Sequence, residues 1–285
     1  MWSPSFRRAL FYLPLCFLGG EALLHLLQVV AGRIDYPYEL EWMEGGMLHQ
    51  VLRVLHGEPL YGQPSLDFIP ALYMPLYYYL SALSAWIFGE NLFALRLVSV
   101  IASLITHMFV FLIARKITAS MWISALAVLF YALMFRHTGF WFDVARVDSL
   151  WTMLLSAALY CLLCYKDQSD KKYLLLLVIL GVLAFLAKQA TLFILPFVAI
   201  SMWCWFGGVF LLRFAMLCLP IAILMFVVCL WLFGQQFFFY TMQMAGSHGV
   251  TLFGVRRLFE IVLFSVPSFW LARASVSVAI GNTTR

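Results

Sequence analysis

Apolar runs recur along the chain at lengths that suit a bilayer, and short polar breaks separate them. The first runs from about residue 9 to 31, behind Arg7 and Arg8 and without a small-residue cleavage pattern. It reads as a signal anchor with a cytoplasmic N-terminus. Further runs over roughly 92–114, 119–135, 147–165, 173–187, 190–206, 212–233 and 258–272 bring the expected number of membrane-spanning helices to about eight. Lipid cannot satisfy backbone N–H and C=O groups, so these runs must close their own hydrogen bonds as helices. The fold class is therefore an all-α polytopic membrane protein, with a membrane-embedded domain over 1–273 and a tail over 274–285.

One long polar segment, 32–70, interrupts the pattern, and the run 71–88 (ALYMPLYYYLSALSAWIF) follows it. That run is apolar enough to insert but short, aromatic and broken by Pro75. Loop charge arbitrates. If 71–88 crossed, the Arg115-Lys116 loop and the Lys166 to Lys172 loop would both lie outside, against the positive-inside bias. Lying in the interface, it puts both basic loops inside and makes 32–91 an outer-face loop carrying amphipathic interfacial helices. The same arrangement places 136–148, Lys188-Gln189 and 234–257 on the outer face; the outward Arg256-Arg257 pair is its exception.

Composition narrows the picture further. Hydrophobic residues make up 65% of the 285 and charged residues only 11%, too few to clothe a water-soluble surface. The net charge of +5 resides largely in short loops and is read as topology rather than as a nucleic-acid footprint. The six cysteines lie in apolar runs, where they serve as small packing residues.

Three groups of polar residues stand out. From Glu41 to about His56 the pattern reads as an amphipathic helix with Glu41 and Glu44 on one face, near the membrane surface. Partial desolvation there should raise a carboxylate pKa. Asp143, Arg146 and Asp148 open an apolar span; ionisable groups at such depth are costly and imply function, or pairing of Arg146 with either acid. Lys188 sits between two apolar runs, where it can snorkel or meet a phosphate.

In order, the chain carries Glu41-Trp42-Met43-Glu44-Gly45, Gly57-Glu58-Pro59-Leu60-Tyr61, Tyr73-Met74-Pro75-Leu76-Tyr77-Tyr78-Tyr79, Phe88-Gly89, Leu95-Arg96-Leu97, Ala145-Arg146-Val147-Asp148 and Lys188-Gln189 with Pro196. This order resembles the C-type membrane glycosyltransferases that use polyprenyl-phosphate-linked sugars, relatives of the protein mannosyltransferases and the aminoarabinose transferase.

The resemblance implies a base at Glu44, with Glu41 as the alternative because Met43 stands where the family motif often has Asp. It implies an assisting acid at Asp148, and substrate contacts from Arg53, Tyr73, Arg146 and Lys188. It implies transfer from a polyprenyl-phosphate sugar to a glycan, lipid or protein acceptor at the outer face of a bacterial inner membrane. No cofactor is implied, although a carboxylate pair could hold a divalent metal. Relatives usually continue with further helices and a periplasmic domain, so a truncated product is expected. The alternatives are a lipid or sugar transporter, disfavoured by the absence of repeated halves, and an inactive remnant.

Overall fold

The computed structural model describes residues 4–66, 68, 72–244 and 246–247. The expected span at 258–272, the Arg256-Arg257 pair and the tail lie outside the described residues. The chain divides into two units, Met1–Gln243 and Met244–Arg285; the architecture below is that of the first. It is entirely helical among the described residues, apart from one isolated bridge between Ser65 and Phe68.

The helices are α1 (Pro4–Arg33), α2 (Glu44–Leu55), α3 (Leu76–Phe88), α4 (Leu92–Thr118), α5 (Met121–His137), α6 (Val147–Gln168), α7 (Lys171–Ala187), α8 (Thr191–Phe206) and α9 (Gly208–Phe238), followed by a π-helical turn at Phe239–Met244. Three segments, Leu92–Thr118, Val147–Gln168 and Gly208–Met244, are long and apolar enough to cross a membrane, and Met121–Phe135 and Thr191–Phe206 are shorter apolar helices. The chain is an integral membrane protein. At 1.5 Å per residue α4 is about 40 Å long, whereas the 13 residues of α3 extend only about 20 Å, short of the roughly 30 Å hydrocarbon core.

Helix boundaries follow local chemistry. The Asn91 side chain accepts from the Ala94 amide to open α4, and Arg115 and Lys116 fall in its last turn, where the helix dipole favours cations. Asp170 likewise caps α7 through the Lys172 amide. Pro75 precedes α3 and Gly89, with φ 97°, ends it in a conformation open to glycine. Gly234 (φ 73°, ψ −168°) breaks α9 a turn before its end.

Antiparallel connection gives the bundle two distinct ends. At one, the basic loops meet: Lys116 Nζ lies 2.8 Å from Asp167. At the other gather the C-termini of α1, α5, α7 and α9, the N-termini of α4, α6 and α8, and the loop bearing α2 and α3. Small buried residues let the helices approach there. Ser81, Ala82, Ser84 and Ala85 of α3 are buried, and α3 packs against α4, whose own buried positions include Ala94, Ser99, Ala102 and Ser103. Ser84 Oγ donates to the Ala94 carbonyl at 2.7 Å and Tyr77 Oη to that of Leu95 at 3.2 Å. Large apolar side chains such as Phe193 (80% exposed) and Trp231 (82% exposed) point outward, as lipid-facing positions should.

The predicted Glu41–His56 helix is corrected in one respect. The helix begins at Glu44, and Glu41 lies in the turn before it, whose Glu41 carbonyl accepts from the Glu44 amide at 3.0 Å. The two carboxylates therefore do not share a helical face. They leave the backbone in different directions and find different partners.

Candidate active site

Glu44 and Arg96 form the inner of two ionic assemblies at the loop-bearing end. Arg96 sits in the second turn of α4, where the positive end of the helix dipole disfavours a cation, and it is wholly buried. A carboxylate must compensate it. Glu44 does so in a two-pronged pair, Nε to Oε1 at 2.9 Å and Nη2 to Oε2 at 2.6 Å, with both side chains fully buried. Arg96 spends its remaining N–H groups on the carbonyls of Arg33 (3.0 Å), Tyr36 (2.5 Å) and Tyr38 (2.8 Å). All five guanidinium donors are engaged.

Glu44 is equally saturated. Its Oε1 also accepts from the Ala145 amide and its Oε2 from the Leu40 amide, each at 2.7 Å. Burial on its own would raise this carboxyl's pKa. The Arg96 hydrogen bonds, the Ala145 and Leu40 amides and the Arg96 charge outweigh it, and the pKa falls below the ordinary carboxylate value. The expected raised pKa at Glu44 is thus corrected, and four accepted hydrogen bonds occupy the lone pairs of its carboxylate. Beside it, a Cβ on Gly45 would overlap the Glu39 carboxylate, so glycine leaves that acid room to lie across the helix start.

The second assembly is open. After α5 the chain turns through Gly139 and Phe140, both with left-handed φ (73° and 64°), and Arg33 fastens the loop beyond. Arg33 Nε donates to Asp143 Oδ2 at 2.6 Å, a second nitrogen pairs with Asp143 Oδ1, and Arg33 Nη2 reaches the Phe140 carbonyl at 2.9 Å. Of the two pairings foreseen for Arg146, Asp143 is taken by Arg33 and Asp148 remains. Arg146, at the N-cap of α6, then makes three contacts: Nη1 to Glu41 Oε1 at 2.9 Å, Nε to Asp148 Oδ2 at 3.2 Å and Nη2 to Tyr73 Oη at 3.3 Å. Lys188 Nζ reaches Asp148 Oδ1 at 2.6 Å.

Two acids and two bases thus form a charge-balanced chain, Glu41, Arg146, Asp148 and Lys188, with Tyr73 beside it. Their side chains retain 15%, 6%, 17% and 19% exposure, unlike the sealed inner pair. Aromatic rings frame the cations: the Arg146 guanidinium lies 4.0 Å from the Trp141 ring, and Lys188 Nζ 5.2 Å from the Trp151 ring and 5.6 Å from that of Tyr73. Among the described residues Glu41 Oε2 accepts the Met43 amide alone, at 3.0 Å. Solvent-facing capacity remains on this carboxylate.

The loop between α7 and α8 is a tight turn that holds the site to the rest of the bundle. Gln189 Nε2 donates to the carbonyls of Leu72 at 2.8 Å and Thr241 at 3.1 Å, tying the segment before α3 to the end of α9. Of the expected residues, Glu41, Tyr73, Arg146, Asp148 and Lys188 come together, Glu44 lies behind them, and Arg53 does not join. Arg53 instead pairs with Glu58 at 2.8 Å, donates to the Pro59 carbonyl at 3.0 Å and covers the Phe68 ring.

The model of the family described as dolichyl-phosphate-mannose-protein mannosyltransferase matches residues 70–231, more than half of the chain. The chain belongs to that family. It is thereby a member of a membrane glycosyltransferase family, and a polyprenyl-phosphate donor fits the description. No curated protein and no solved structure matched the chain. The matched stretch carries Tyr73, Arg146, Asp148 and Lys188, whereas Glu41, Glu44 and Arg53 precede it.

Proposed function

We propose that the protein transfers a sugar from a polyprenyl-phosphate donor to an acceptor hydroxyl or amine at the outer membrane face, and that Glu41 is the base. The observation that carries this reading is the contrast in coordination between the two candidate acids. Glu44 has every lone pair occupied, whereas Glu41 keeps an oxygen with one amide partner and some exposure.

In the step proposed, the acceptor heteroatom attacks the anomeric carbon as its proton passes to Glu41 Oε2. A bond forms from that atom to the anomeric carbon, the bond from the carbon to the phosphate oxygen breaks, and its electron pair stays on the phosphate. The single displacement inverts the anomeric centre. The departing phosphate gains a negative charge, which Lys188 and Arg146 are placed to stabilise, in a half-buried setting where such donors count for more than in water. Asp148 holds both cations in the resting state and receives them back when the lipid phosphate leaves.

The test is transfer from a radiolabelled polyprenyl-phosphate sugar by purified protein, alongside equilibrium binding of that lipid. Glu41→Gln should bind the lipid and fail to transfer. Full transfer by Glu41→Gln would remove the assignment, and failure of the native protein to bind any polyprenyl phosphate would remove the reading as a whole.

A further inference from the structure

A cavity of about 360 Å³ opens directly beside Asp148, between α4, α5 and α6. Its walls are the rings of Tyr131, Trp141, Phe142 and Trp151, and its polar edge is Asp148 with the hydroxyls of Ser103, Thr138, Ser149 and Thr152. The volume lies at the small end of ligand pockets, which run roughly 300–1,000 Å³. That is room for a single sugar ring.

The polarity of that edge is informative. Thr152 donates its proton to the Asp148 carbonyl at 2.8 Å, Thr138 to the Phe135 carbonyl at 3.0 Å, and Ser149 to the carbonyls of Trp141 and Phe142, both at 3.0 Å. Ser103 donates to the Phe142 carbonyl. Each aliphatic hydroxyl has spent its proton on the backbone, so what these groups and the Asp148 carboxylate offer the cavity is lone pairs. A suitable occupant brings several O–H donors on a body whose C–H faces can lie against aromatic rings. An isoprenoid chain brings none and would strip water from five acceptors without replacing its hydrogen bonds.

We infer that this cavity receives the transferred sugar ring, with Trp141 and Trp151 as its walls and Ser149, Thr152, Thr138 and Asp148 as acceptors of its hydroxyl hydrogen bonds. The inference rests on the proposed sugar transfer and adds the place and chemistry of sugar selection. The cavity adjoins the cations on their Asp148 side, so a sugar seated there has its phosphate beside Lys188 and Arg146. Selection then depends on which hydroxyls point at the acceptor edge.

The test compares lipid binding to purified protein in nanodiscs for bare polyprenyl phosphate and for its mannosyl and glucosyl phosphodiesters. Two variants are used: Thr152→Leu, which fills the cavity, and Thr138→Val, which keeps the shape but removes an acceptor. Thr152→Leu is expected to weaken binding of the sugar-bearing lipid that the native protein prefers by tenfold or more, with bare polyprenyl phosphate bound as before. Thr138→Val should produce a smaller loss of the same kind. Equal weakening of bare and glycosylated lipid would assign the cavity to the prenyl chain and overturn the inference. So would no change in either variant, or a native protein that binds all three lipids alike. A native protein that binds none of them would instead overturn the underlying transfer reading.

Discussion

Two carboxylates three residues apart have opposite fates in this molecule. Glu44 accepts four short hydrogen bonds in a fully buried pair with Arg96, and Glu41 accepts two in a half-open network with Arg146. A saturated carboxylate is a fastening: its geometry fixes the 33–40 loop against α4 and α6, and its ionised form is favoured. A carboxylate with spare acceptor capacity, as at Glu41, has lone pairs open to a further hydrogen bond. The contrast teaches that two acids of one motif can differ in unoccupied lone pairs, the difference on which Glu41 is proposed as the base.

The sharpest way to break the comparison is to neutralise each acid in turn. Glu41→Gln is expected to lower transfer by about 10²–10⁴-fold with donor affinity retained, the usual loss when a general base is removed. Lys188→Met should instead weaken binding of the donor phosphodiester as well as slow transfer, because its cation is proposed to hold the resting phosphate too. Transfer rates from a labelled lipid, read together with lipid binding, separate the two. A Glu41→Gln protein at native rates would mean that the open network is only a surface ion cluster.

On the inner pair the expected effect is on folding. Glu44→Gln leaves the buried Arg96 guanidinium without its counter-charge, a change that costs about 3–5 kcal/mol where one partner of a buried pair is lost. Thermal unfolding in detergent should drop accordingly, and the surviving folded fraction should keep per-molecule transfer. Removing both charges, as Glu44→Met with Arg96→Met, should recover part of the loss, since a buried pair can often be replaced by apolar residues. Titration gives an independent measure. The folded pKa of Glu44 is depressed, so its stabilisation is present in full above its ordinary value of 4.5 and is lost as the pH falls through the lower folded value. Glu44→Gln should flatten that acid limb of a stability profile.

These partners explain what was legible beforehand. The spans at 92–114, 147–165 and 190–206 were readable because lipid admits little besides apolar helix, and the corresponding helices start within a residue of those bounds. That Asp148 and Lys188 meet at one end of the bundle was readable from loop charge. The partner of each charge was not, because it depends on approach distances between elements far apart in sequence. Arg96 lies 52 residues from Glu44 and Arg33 lies 110 from Asp143. One signal was available: a lone arginine near the N-terminus of an apolar helix opposes the dipole and demands an acid. The start of α2 was misread because alternating acidic and apolar residues continue through the preceding turn, and periodicity alone does not mark where Glu41 leaves the helix.

The mildest prediction concerns Arg53, which the motif order had placed among the phosphate-holding residues. In the structure its guanidinium faces Glu58, whose side chain is half exposed, and it packs over Phe68 while holding the Pro59 carbonyl. None of these partners belongs to the Glu41–Lys188 network. A pair with one exposed partner contributes about 0–1 kcal/mol and the Pro59 hydrogen bond about 1 kcal/mol, so Arg53→Gln should shift stability by about 1–2 kcal/mol, less than Glu44→Gln. Donor affinity should be unchanged, because Arg53 lies outside the network proposed to hold the phosphate. A titration of polyprenyl phosphate against Arg53→Gln and Lys188→Met in parallel decides the matter: only the lysine variant should lose affinity. Equal losses would place Arg53 in the phosphate path and would require the 53–68 loop to close over the site when lipid binds.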